Sequence, residues 1–188
     1  METKEKFLAI KELCLASDSK NPLEFAEELM RQDFISVNGP EHHMLDGAAF
    51  LTAFKNAGGK IDLPAALDEL AKRALMMPGA MCGYWGICGG VASLGASFSI
   101  INKTTPLSDE QGYKDNMAYT SSVIKIMSGI GGPRCCKRNG FLAITYAVQF
   151  AEERYGIKME TSQPKCEFSS LNKQCLGPRC PFYPREKA

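Results

Sequence analysis

The sequence predicts an all-α protein: a single helical domain over residues 1–160 with an irregular, cysteine-rich C-terminal tail, 161–188, packed on it. Apolar residues recur at helical spacing as far as Gly156, with glycine and proline punctuating the gaps. No convincing run alternates apolar and polar residues as a half-buried strand does.

Taken in order, residues 4–16 place Phe7, Ile10, Leu13 and Cys14 on one face, and Cys14 reads as a small core hydrophobe. Asn21-Pro22 supplies a cap and a first-turn proline for a second helix whose stripe is Leu23, Ala26, Leu29, Met30 and Phe34. After the Gly39-Pro40 turn a third helix is expected from Leu45 to Asn56, stopped by Gly58-Gly59. Asp62 caps a fourth, with Pro64 in its first turn and Leu63, Ala66, Leu67, Leu70, Ala71 and Ala74 facing inward. Pro78-Gly79 ends it.

Gly89 to Ile101 forms a small-residue helix. Its Gly89, Ala92, Ser93, Ala96 and Ser97 let another backbone or a bulky group approach closely. A further helix spans about 109–128. The last carries Phe141, Ile144, Val148 and Ala151 and stops near Gly156. Trp85, the single tryptophan, is expected to anchor the core.

Composition narrows function by exclusion. Lys plus Arg number 22 against 21 for Asp plus Glu, a formal net charge of +1, so no global field attracts nucleic acid. The apolar stretch 79–101 is interrupted by five glycines after its first and makes a poor membrane span. Glu5 and Glu12 break any signal-peptide pattern at the start, and a cytoplasmic location is expected. Gly129 to Gly132 lacks the Gly-Lys-Ser/Thr ending of a phosphate loop. A chain of 188 residues needs no disulfide staples to fold, so its eight cysteines require another explanation.

Seven of the eight fall into three groups. The tail reads Cys166-x8-Cys175-x4-Cys180-Pro181, a flexible trio able to converge on one ion or cluster. The vicinal pair Cys135-Cys136 follows Gly131-Gly132-Pro133, and one of the two could complete the tail's site. Arg134, Lys137 and Arg138 around the pair form the one concentrated basic patch. They are candidates to bind an anion or to lower the thiol pKa. Cys82 and Cys88 are each flanked by glycine, and His42 or His43, with His43 as the candidate, could join them as a ligand.

These motifs together, Cys-Gly-x-x-Gly-x-Cys-Gly-Gly at 82–90, Gly-Pro-Arg-Cys-Cys-Lys-Arg at 132–138 and Cys-x8-Cys-x4-Cys-Pro-Phe at 166–182, resemble a cysteine-rich domain-of-unknown-function family of anaerobic bacteria and archaea. Some of its members are joined to, or described as, SAM-dependent methyltransferases. More loosely, Cys88 to Gly95 resembles the C-GCAxxG-C-C proteins, suspected of redox or iron–sulfur roles, though Gly90 replaces the alanine of that pattern. An anaerobic setting, which the resemblance implies, favours an oxygen-sensitive cluster over zinc. The chain itself has no strand-to-helix glycine loop for a Rossmann-type SAM site, so methyl transfer would belong to a partner.

The expectation is therefore a metal-binding protein holding an iron–sulfur cluster, preferably [4Fe–4S], or zinc. It would act in electron transfer or beside a redox or methyltransferase partner. A zinc-stabilised interaction module and a thiol enzyme using the vicinal pair are the alternatives, and whether the protein is an enzyme stays open.

Overall fold

A computed structural model describes residues 1–185. Residues 186–188, the end of the expected tail, lie outside the described residues. Those described contain eight α-helices, one short 3-10 turn at Gly177–Arg179, and no strand. The helices are α1 (Thr3–Ala16), α2 (Pro22–Met30), α3 (His42–Asn56), α4 (Leu63–Met76), α5 (Met81–Tyr84), α6 (Gly89–Asn102), α7 (Gln111–Ile130) and α8 (Cys136–Tyr155). No helix among them is long and apolar enough to cross a membrane.

Local chemistry sets the starts and stops. The Asn21 side chain accepts from the Leu23 and Glu24 amides at 3.1 and 3.3 Å, opening α2 with Pro22 in its first turn. Asp62 accepts from Ala65 N at 3.1 Å to open α4. Gly156 ends α8 with φ +65°, a left-handed geometry that glycine adopts without penalty.

Helix α3 is the axis of the molecule: every side chain from His42 to Phe54 is buried, and α1, α2, α4, α6 and α8 all pack around it. Its closest approach is to α6. A Cβ at Gly47 would lie 2.6 Å from both Ser93 Oγ and Ser97 Oγ, and Gly47 N donates to Ser93 Oγ at 3.0 Å. The small face of α6 thus admits the α3 backbone. Beyond it, Phe98 meets Phe50, Tyr119 and Phe150 with ring centroids 5.1, 4.8 and 5.1 Å away.

Four expectations change. Helix α3 begins at His42, so both histidines lie within its first turn instead of preceding it. Helix α2 ends at Met30, leaving Phe34 in the following turn and only partly buried. A short helix, α5, holds Cys82. Trp85 is not a core anchor: it is 60% exposed, stacked edge-on only against the exposed Tyr84.

The tail is tied to the body. Glu160 N donates to Lys20 O at 3.0 Å, Arg31 pairs with Glu167 at 2.6 Å, and the Phe182 ring meets Phe141 of α8 at 5.3 Å. Phe168 is buried beneath the Lys137 ammonium, which sits 4.5 Å from its ring centroid. Cys166 N donates to Phe182 O at 2.8 Å, closing the tail into a loop that brings its three cysteines back against α8.

Candidate metal centre and the adjoining cavity

Cys135 is the N-cap of α8, and its sulfur accepts from Arg138 N at 3.5 Å. The same sulfur accepts from Asn172 Nδ2 in the tail at 3.5 Å. Around the space it faces stand Cys166, Cys175 and Cys180, with Phe168, Leu176 and Phe182 as apolar walls. Gly177 N donates to Cys175 Sγ at 3.3 Å. Two of the four sulfurs, Cys135 and Cys175, therefore accept from N–H groups, an arrangement suited to thiolate.

Burial pushes the Cys166 and Cys180 thiols above their ordinary range, and the neighbouring cysteines add to the rise. A bound cation would reverse that, because a coordinating thiol is deprotonated. Among the described residues no three His, Cys, Asp or Glu side chains stand close enough to hold an ion as placed. The free space among the four sulfurs is about 10 Å³.

Cys136 turns the other way. It lines a second cavity of about 300 Å³ with Cys82, Cys88, His42, His43 and Asp46. Cys88 sits just ahead of α6, where its sulfur accepts from Asn139 Nδ2 at 3.4 Å. Burial nonetheless raises its pKa. A wider cleft of about 790 Å³ adjoins this cavity, with Cys82, Cys88, Arg134 and Asn139 lining both.

Asp46 was missed by the sequence reading. It is fully buried, and neither carboxylate oxygen has a hydrogen-bond partner. Glycines make its seat: a Cβ at Gly90 would lie 2.5 Å from Asp46 Oδ2, and one at Gly140 would lie 2.6 Å from Oδ1. A Cβ at Gly89 would likewise come within 2.2 Å of the His43 ring. The paired glycines after Cys88 thus make room for an imidazole and a carboxylate. The only advance signal for Asp46 was its position four residues after His42, which has meaning only once α3 starts at His42.

The basic trio does not form one patch. Lys137 is 1% exposed and donates to Met30 O at 3.2 Å, and burial brings its pKa down to about 8. Arg138 is buried too, donating to Gly131 O at 3.2 Å and Pro133 O at 2.9 Å, which pins the turn ahead of α8. Arg134 alone is exposed, at the rim of both cavities. Nor does the expected lowering of the Cys136 thiol occur. Burial pushes it up to about 12, with Asp46 and Cys88 adding to the rise. Cys14 is a core residue, its pKa likewise about 12 through burial.

No curated protein and no solved structure matches the chain. One family pattern does, over residues 10–183, and it spans α2 to α8, both cavities and all three tail cysteines. The chain belongs to the family of unknown function DUF5714.

Proposed function

We propose that Cys135, Cys166, Cys175 and Cys180 hold an iron–sulfur cluster of the [4Fe–4S] kind. The protein would pass single electrons to, or serve as accessory to, a redox or methyl-transfer partner. What supports the reading is that four thiols from two separate chain segments line one small space, with N–H donors on Cys135 and Cys175. Such donors stabilise thiolate and tune a cluster's potential.

A single zinc ion, held by thiolate bonds of about 2.3 Å, is the second reading. The thiol-enzyme reading draws less support, since burial holds the Cys136 thiol up at about 12, opposite to an activated nucleophile.

The test is anaerobic isolation, iron and sulfide analysis, and an absorption spectrum before and after dithionite. The cluster reading expects about four iron and four sulfide per chain and a brown colour bleached on reduction. Stoichiometric zinc in a colourless protein would replace it with a zinc-stabilised module.

A further inference from the structure

His42 and Asp46, four residues apart on α3, face each other with His42 Nδ1 3.6 Å from Asp46 Oδ1. That is too long for a hydrogen bond, and neither atom has another partner. The His42 and Asp46 side chains are 2% and 1% exposed. The other ring nitrogen of His42 lies 3.4 Å from Ser36 O. If it donates there, Nδ1 keeps its lone pair, and two acceptors then confront one another away from water. A buried, unpaired carboxylate costs several kcal/mol; the charge of buried Lys137 acts on Asp46, but that ammonium is held by Met30 O and the Phe168 ring, so both Asp46 oxygens stay bare and open to a further cation.

His43 shows a related pattern. Its Nδ1 is buried without a partner, leaving a bare donor atom for a cation. All three side chains line the 300 Å³ cavity, and Cys88 and Cys136 line it with them.

We propose that this cavity is a second, separate cation site, in which His42 Nδ1 and Asp46 take a divalent transition-metal ion such as Zn²⁺, Fe²⁺ or Co²⁺. Two first ligands 3.6 Å apart suit a shared ion, whose bonds to nitrogen and oxygen run about 2.0–2.2 Å. A third donor is not in place as the chain stands. It comes from His43, Cys88 or Cys136 by side-chain rotation when the ion enters. The remaining volume leaves a coordination position open toward the cleft, as in metal sites that bind a small ligand rather than only brace a fold. The site does not depend on the cluster reading, because its donors are distinct from Cys135 and the tail cysteines.

The probe is Co²⁺, titrated anaerobically into the reduced full chain and followed by its visible d–d absorption. In a Cys175→Ser/Cys180→Ser background, which removes two thiolates from the tail set, the chain is expected to take up one Co²⁺. Adding Asp46→Asn or His42→Gln to that background should weaken the uptake at least tenfold. Uptake unchanged on adding Asp46→Asn overturns the site, as does no uptake in the background itself. Iron and sulfide content, assayed separately, decides the cluster whichever way this goes. Should Asp46→Asn fail to fold by circular dichroism, His42→Gln decides alone. A proton in place of a metal predicts that Co²⁺ leaves wild-type thermal stability unmoved, which also overturns the site.

Discussion

Gly140 of α8 faces Asp46 of α3 so closely that a Cβ there would lie 2.6 Å from Oδ1 and 3.0 Å from Oδ2. Alanine normally favours a helix interior over glycine by about 1 kcal/mol. Here the contact reverses the sign, because the Asp46 carboxylate lies against Gly90 as well and can clear the new methyl only by turning out of its seat toward the cavity. Gly140→Ala is expected to destabilise by about 1–3 kcal/mol, the usual range for overpacking a tight interior. Urea denaturation of metal-free protein measures it, and Gly129→Ala, with open space around its Cβ, is the control expected to lose nothing.

Cys180 and Cys14 are both buried, yet substitution should separate them. Cys180→Ser removes a sulfur from the tail group and is expected to abolish the cluster absorption. Cys14→Ala removes a thiol packed beside Thr52 in the α1 core. It is expected to cost on the order of 1 kcal/mol of stability through the lost packing, with iron and sulfide content unchanged. A spectrum altered by Cys14→Ala would mean that the metal reading has drawn its boundary in the wrong place.

Loss of the bound group should loosen the tail and spare the helices. The α3-centred core is built from every α-helix except α5, whereas the tail adds chiefly Phe168 to it. Dedicated zinc domains unfold outright without metal, a coupling of order 10 kcal/mol. This protein is expected instead to keep its far-ultraviolet circular dichroism after chelation. Limited proteolysis would then cut within 161–180 while a fragment containing 1–155 persists. Global unfolding on chelation would show that the tail site is a condition of the fold.

Periodicity and caps made the helices legible, because the Asn21 and Asp62 caps and the small face of α6 are local signals with local causes. That Cys135 and the three tail cysteines line one pocket agrees with thiols on an irregular segment needing a reason to be there, although no three of them stand close enough to hold an ion as placed among the described residues. Asp46 was not legible. A lone aspartate in an apolar stretch looks like a solvated position until Gly90 and Gly140, distant in sequence, are seen to close over it. The basic trio misled for the opposite reason: Lys137 and Arg138 look like surface charge, but their donors are spent on backbone carbonyls inside the molecule. Trp85 misled because its size suggests the core, while its glycine-flanked segment carries it outward.

Glu27 gives the stability a pH dependence of definite sign. Its side chain is 15% exposed, and Oε1 is buried with no partner. Burial raises its pKa; Arg31, at 3.6 Å, opposes this, while Glu167 and Glu24 reinforce it. An acid whose folded pKa lies above its unfolded one holds its proton more tightly when folded. Its relative contribution is therefore most favourable below the ordinary carboxylate pKa and declines as pH rises through the raised value. Glu27→Gln keeps the shape and removes the titration. The variant should match wild type near pH 4 and exceed it by a few tenths of a kcal/mol at pH 7, a small gain because the group is partly solvated and Arg31 retains Glu167. Urea melts at the two pH values measure the difference. A variant less stable than wild type at pH 7 would show that the attraction to Arg31 outweighs the cost of burying the carboxylate.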